Sequence, residues 1–312
     1  MQRDASIDRF RGFTILMMVI VNDIADIARI PAIFKHADDA GFTVADIVAP
    51  MFLFAVALTY EKSFNKKFLK GKAGAYMDTV KRYLALIGLG TIFSAGGAAV
   101  GQTSDWGVLQ AIGAAGIITL IFIRLKPVYR LIVSIAVLTC YQFAVHLYLK
   151  DFVLGGSHGS IFGSISWGAM LLLMTVFAKI YWERQKRFVP AAALALLIAI
   201  GLCIIPYGYF ILSKNRVSMT YVLLAAALCC IIFYAVKLLT EKLFKKPGFL
   251  CYWGENPITL YVAHLFLMGI MRIPTGFDDM GLMPGLLRTS ALVALVGALA
   301  YFMHKKNIRI SL

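Results

Sequence analysis

The chain has 312 residues, 60% of them hydrophobic and 15% charged, with a formal net charge of +15. Soluble domains usually carry about 25% charged residues, and here the apolar residues run in long blocks, which excludes an ordinary water-soluble fold. The basic excess is spread through short connections, so no separate module is available to bind nucleic acid; it fits the lysines and arginines of cytoplasmic loops in a membrane protein.

A helix needs about 20 apolar residues to cross a hydrocarbon core of about 30 Å. On that measure the sequence predicts ten spans, at about 12–30, 43–60, 83–101, 108–124, 127–148, 164–182, 189–208, 217–237, 249–271 and 285–303. The expected architecture is all-α: one polytopic membrane helix bundle, a single domain over residues 1–312. No cleavable signal peptide precedes the first block, and no internal repeat is visible. The five cysteines (Cys140, Cys203, Cys229, Cys230 and Cys251) lie in or beside apolar blocks. They have neither metal-ligand spacing nor an extracellular pairing pattern, and read as small buried hydrophobes; no metal is expected.

Charge fixes the expected sidedness. With the N-terminus inside, alternate connections hold 24 lysines and arginines inside against seven outside. This predicts a cytoplasmic N-terminus and, with an even span count, a cytoplasmic C-terminus.

In chain order, the first span closes on VNDIADIARI. Asn22 and Asp26 are four apart, and Asp23 and Asp26 three apart, so each pair shares a helix face. Either the helix ends early and these residues are wet, or they line a polar pocket opening to the outside. The next connection, FKHADDAGFTVADIVAPMF, carries His36 between Lys35 and the acidic pair Asp38 and Asp39. A neutral imidazole can take a proton from an attacking group near pH 7, although a lone loop histidine is commonly just solvated. Thr43 is placed to cap the second helix, with Asp46 in its first turn. The segment from Lys62 to Arg82 holds seven basic residues. It serves topology and anionic lipid contact, or receives the phosphates of a nucleotide-like cofactor. In the ninth span, CYWGENPITLYVAHLF, Asn256, Tyr261 and His264 interrupt an apolar helix. Pro257 frees a backbone carbonyl that Asn256 can help satisfy. Tyr261 and His264, three apart, share a face, either as interhelical glue or as the lining of a buried polar path.

Three segments together resemble the heparan-α-glucosaminide N-acetyltransferase family. ASIDRFRGFTILMMVIVN is similar to its S-x-D-x-F-R-G start, FKHADDAGFTVADIVAPMFLF to its K-H-A…G-x-T-x-A-D-x-x-x-P-x-F stretch, and WGENPITLYVAH to its G-x-N-x-x-x-x-Y-x-x-H segment. WGVLQAIG resembles its G-V-L-Q stretch but has Ala111 where the family usually has arginine. The loops are short, without an added luminal domain, so a small sugar or glycan end suits the chain better than a long polysaccharide.

The resemblance implies a transmembrane acetyltransferase that moves an acetyl group from cytosolic acetyl-CoA to an amino sugar on the other face. It places the catalytic role on His36, matches Asn22 to the asparagine closing the first span, and makes a homodimer in the inner (cytoplasmic) membrane the expected setting. In that reading Asp23, Asp26 or Asp46 orients His36. Asn256, Tyr261 and His264 support the site, while Lys66, Lys67, Lys70, Arg82 and Gln110 lie on the acetyl-CoA path. Two alternatives share these residues: an O-acetyltransferase of a cell-envelope glycan, and a small-solute transporter, whose path would also need polar residues within spans.

Overall fold

The computed structural model describes residues 4–25, 27, 29–99, 106–205, 208–243, 248–273 and 281–310, and those residues are mainly helical. Among them, twelve α-helices follow in order: α1 (Ala5–Ile24), α2 (Val48–Phe68), α3 (Lys72–Ala99), α4 (Val108–Phe122), α5 (Pro127–Ala144), α6 (Lys150–Leu154), α7 (Ser160–Glu183), α8 (Phe188–Ile204), α9 (Met219–Lys242), α10 (Phe249–Glu255), α11 (Pro257–Arg272) and α12 (Leu282–Lys305). Among the described residues, six helical stretches are long and apolar enough to cross a membrane: Ala45–Phe68, Pro127–Leu154, Ser157–Glu183, Gln185–Ile204, Met219–Lys242 and Leu282–Lys305. The chain is therefore a multi-pass membrane protein. α4 and α11 are apolar but shorter, and α1 carries Asp8, Arg9, Arg11 and Asp23.

The sequence explains several boundaries. Asp4 caps α1 by accepting from the Ser6 amide at 2.9 Å. Pro127 sits at the first position of α5 behind an extended Lys126, which is the geometry a proline imposes on its predecessor. The predicted first span differs at its far end, because α1 stops at Ile24. The predicted fifth span runs on through a π-helical turn, Val145–Leu149, into α6. The ninth is two helices, α10 and α11, broken at Asn256, whose ψ of 57° lies outside the helical range.

Contacts group the chain into two compact units, one of residues 1–36, 43–55 and 232–312, the other of 37–42 and 56–231. In the first unit, α1 packs closely on α10. A Cβ on Gly12 would overlap the Leu250 carbonyl, and one on Gly254 would overlap the carbonyl of Asp8. Two glycines thus let these backbones approach within the distance that interhelical packing in lipid exploits. Ile15, Val19, Trp253, Leu260, Leu292 and Val296 fill the core beside this crossing. In the second unit α7 is the central helix, packed on α4, α5 and α8, with Trp167, Met170, Leu171 and Met174 fully buried.

Candidate active site

His36 lies in the connection between α1 and α2, just after a 3-10 turn at Ala32–Phe34. A second 3-10 turn, Ala45–Ile47, leads into α2 and carries Asp46, which is 0% exposed. His36 Nδ1 lies 2.8 Å from Asp46 Oδ1. The other carboxylate oxygen accepts from both the backbone N–H and the hydroxyl of Thr43, each at 3.0 Å. Thr43 therefore does not cap α2 as its position predicts; it donates to Asp46 instead. A buried carboxylate that accepts three such bonds is fixed in direction. It selects the Nδ1–H tautomer of His36, so the lone pair sits on Nε2. The His36 side chain keeps 45% of its surface exposed, which leaves room for a reactant. An imidazole oriented by a buried aspartate is the arrangement that general-base and nucleophilic catalysis use.

A second constellation forms at the end of α1. His264, on α11 and 0% exposed, donates from Nδ1 to the Tyr261 carbonyl one turn earlier. Its Nε2 lies 3.2 Å from Asn22 Nδ2. Since a neutral imidazole carries one proton, Nε2 is the acceptor, and the Asn22 amide must turn its NH2 toward it. Tyr261 and His264 thus meet through the tyrosine backbone and an edge-on ring contact at 5.3 Å.

Asp23, the next residue, is 0% exposed although α1 ends only one residue later. Arg288 lies 3.1 Å from its carboxylate, the Thr289 hydroxyl donates to it at 2.6 Å, and Arg288 also donates to its backbone carbonyl. Arg272 donates to the Asn22 carbonyl at 3.2 Å. The helix does end early, then, but Asn22 and Asp23 are engaged by protein partners. Asp26 lies outside the described residues. Arg272 and Arg288, which hold the Asn22 carbonyl and Asp23, are partners that sequence reasoning passed over by counting them only as outside charges. The available signal was a cation within the apolar run of α12, facing an equally misplaced acid.

Asn256 does not satisfy the carbonyl that Pro257 frees. Its side chain, 1% exposed, donates to the Ile308 carbonyl at 2.9 Å and accepts from the Ile310 amide at 2.8 Å, which fastens the segment after α12 to the α10–α11 break.

Among the residues expected on the acetyl-CoA path, Lys66 and Lys67 occupy the last turn of α2, and Lys70 lies in the turn to α3. Lys67 reaches Asp78 at 3.7 Å. Arg82 on α3 is half-buried, and its Nε has no hydrogen-bond partner among the described residues. Gln110 is engaged locally: its Oε1 accepts from the Gly107 amide at 2.6 Å, at the start of α4, and its side chain meets Ser94 on α3. Ala111 beside it is fully buried.

The second unit also contains a cavity of about 240 Å3 lined by Glu61, Lys62, Asn65, Lys179, Trp182 and Glu183, among others. Glu61 accepts from Arg130 at 2.8 Å and from Lys179 at 2.9 Å. Arg130, 1% exposed, also donates to Thr175. The Lys62 ammonium stands 2.9 Å over the Trp182 ring, whose indole N–H is fixed by the Leu58 carbonyl. Sequence reasoning singled out none of Glu61, Arg130, Lys179 or Trp182. No cluster of three or more histidine, cysteine, aspartate or glutamate side chains able to hold a metal occurs among the described residues.

Helices of membrane-crossing length and an aspartate-held histidine define the class: a multi-pass membrane protein whose site suits group transfer. The family model for heparan-α-glucosaminide N-acetyltransferase, catalytic, matches residues 3–201, and the chain belongs to that acetyltransferase family. A comparison with curated proteins finds no match. The family match contains Asn22, His36 and Asp46 and ends before α9, so His264, Arg272 and Arg288 lie outside the matched stretch.

Proposed function

We propose that the protein transfers an acetyl group from cytosolic acetyl-CoA to the amine of a small amino sugar on the opposite face of the membrane. The observation that carries this reading is the 2.8 Å contact between His36 Nδ1 and the buried Asp46 carboxylate, within a chain of this acetyltransferase family. His36 Nε2 takes the proton of the neutral amine as its nitrogen attacks the thioester carbonyl. The C–N bond forms, the C–S bond breaks, and the proton passes to the departing thiolate of CoA. The alternative course, in which Nε2 itself carries the acetyl group, would give ping-pong kinetics.

Asn22 supports the step as a donor. One of its amide hydrogens is engaged by His264, and the other can point at the thioester oxygen as negative charge develops there. Asp46 and His264 are orienting residues in this scheme. Asp23 acts through Arg288, at the end of α1 that carries Asn22. On the donor side, Lys66, Lys67, Lys70 and Arg82 supply positive charge for the phosphates, and Gln110 shapes the path through its grip on the start of α4. The protein would thread the inner (cytoplasmic) membrane about ten times with both termini in the cytoplasm, as the 24 inside against seven outside basic residues favour. The family resemblance supports a homodimer in contact with anionic lipid.

Inverted membrane vesicles, cytoplasmic face outward, test this directly. With radiolabelled acetyl-CoA outside and glucosamine enclosed, the label is expected on the sugar nitrogen, and His36→Ala is expected to abolish it while the protein still folds. Full transfer by folded His36→Ala would sink the histidine assignment. Label on a hydroxyl would make the enzyme an O-acetyltransferase, and uptake of unmodified solute would make it a transporter.

A further inference from the structure

We propose that Arg216 is a positioning residue for acetyl transfer: through Asp39 it holds the chain segment that begins one residue after His36. The inference rests on the reading of His36 as the transferring residue. All the contacts that support it lie within the unit formed by residues 37–42 and 56–231.

Residues 38–41 are fastened to residues 212–216 at both main chain and side chain. The Gly41 amide donates to the Leu212 carbonyl at 2.8 Å. The Asn215 amide donates to the Asp38 carbonyl. Arg216 meets the Asp39 carboxylate through Nε, at 2.8 Å, and through Nη2, while the Ser213 hydroxyl donates to the same carboxylate at 3.0 Å. A forked guanidinium on a carboxylate fixes direction as well as distance.

Arg216 is itself anchored. Its backbone carbonyl accepts from the Tyr141 hydroxyl of α5 at 3.0 Å. The Val217 carbonyl that follows accepts from Ser166 of α7 at 2.7 Å. Val217 has φ 48°, a left-handed conformation that a β-branched residue adopts only under constraint. Such strain persists where the surroundings over-determine it, and functional sites are where it concentrates. Asp39 keeps 36% of its side chain exposed, and an ion pair so placed adds little to stability. Its geometry is what it offers: small displacements of a catalytic group can cost a hundredfold in rate.

The test uses the full-length protein in lipid, with Arg216→Ala and Arg216→Lys beside wild type. Arg216→Ala is expected to lower kcat about 10- to 100-fold with KM for acetyl-CoA unchanged, and Arg216→Lys, which keeps the charge but loses the fork, to recover part of it. Hydrogen exchange at the Gly41 amide is read in parallel and is expected to quicken at least about tenfold in Arg216→Ala, as loss of a local constraint raises opening. Unchanged exchange would overturn the tether. Faster exchange with wild-type kcat would overturn the positioning role, as would a reduced yield of folded protein with normal kcat per folded molecule. A wild type that transfers no acetyl group would instead remove the function on which the proposal rests, an outcome seen before any variant is made.

Discussion

His264 spends its single ring proton on the Tyr261 carbonyl and so can only accept from Asn22, 3.2 Å away. A residue near the C-terminal end of the sequence thereby dictates which way an amide in the first helix faces. Asn22→Asp, which keeps the shape and removes both N–H donors, is expected to lower kcat about 10²- to 10³-fold, the usual cost of losing an oxyanion donor. His264→Gln can still accept from Asn22 and should keep more activity than His264→Leu. Initial rates of acetyl transfer for the three variants decide this; equal rates in the Gln and Leu variants would refute the orienting role.

Asp46→Asn tests the His36 tautomer. A neutral amide still fits beside Thr43 but no longer selects Nδ1–H, and kcat is expected to drop about 10²- to 10⁴-fold, the range associated with general acid–base help. Vesicle assays at saturating acetyl-CoA check it. Activity within about twofold of wild type would mean that His36 does not depend on the carboxylate.

Asp39 gives a pH prediction. Its hydrogen bond with the Arg216 guanidinium, helped by the Ser213 hydroxyl and the charge of Lys150, holds its pKa below the usual 3.8 against the opposing effect of partial burial. A carboxyl with a lowered folded-state pKa contributes stability that is fully present above the unfolded value and lost as pH falls through the folded one. Thermal unfolding should therefore show a steeper loss of wild-type stability below about pH 4 than Asp39→Asn shows, with no difference in their slopes between pH 5 and 7.

Glu61 pairs with Arg130, which is almost completely buried, and with Lys179, which also reaches Glu183. Glu61→Leu strands the guanidinium, and breaking such a buried pair typically costs about 3–5 kcal/mol. A fall in Tm of the purified protein is expected. Arg130→Met combined with Glu61→Leu should regain much of it, because an apolar pair avoids the stranded charge.

Gly12→Leu should separate α1 from α10, since even a Cβ there overlaps the Leu250 carbonyl. Overpacking of this kind costs about 1–3 kcal/mol or more. Asn22 and Asp23 lie on the same helix, so the yield of folded protein and the transfer rate should fall together.

Apolar length reveals most of the helices, and Pro127 marks the turn between α4 and α5 because its ring fixes its own φ and restricts its predecessor. Spacing could not show where α1 ends: Ile24 and Ile27 are both buried, so the apolar pattern runs past the last helical turn. Asp46 was legible as a helix-start residue, and its link to His36 only as one of several carboxylates in reach. The ion pair of Asp23 with Arg288 was hidden by its separation of 265 positions. Each partner alone has a bland reading, as a wet helix end or an outside charge, and only their contact makes the two charges affordable in an apolar setting. Asn256 illustrates the opposite error, where a local rule about proline suggested a neighbour and the amide found Ile308 and Ile310 instead.

The grip of Asn256 on Ile308 and Ile310 ties residues 308–310 to the break between α10 and α11. Both bonds belong to an amide almost wholly shut off from solvent, at the hinge directly before the helix that carries His264. Asn256→Leu, which loses both bonds, should thus slow acetyl transfer by disturbing His264 and, through it, Asn22.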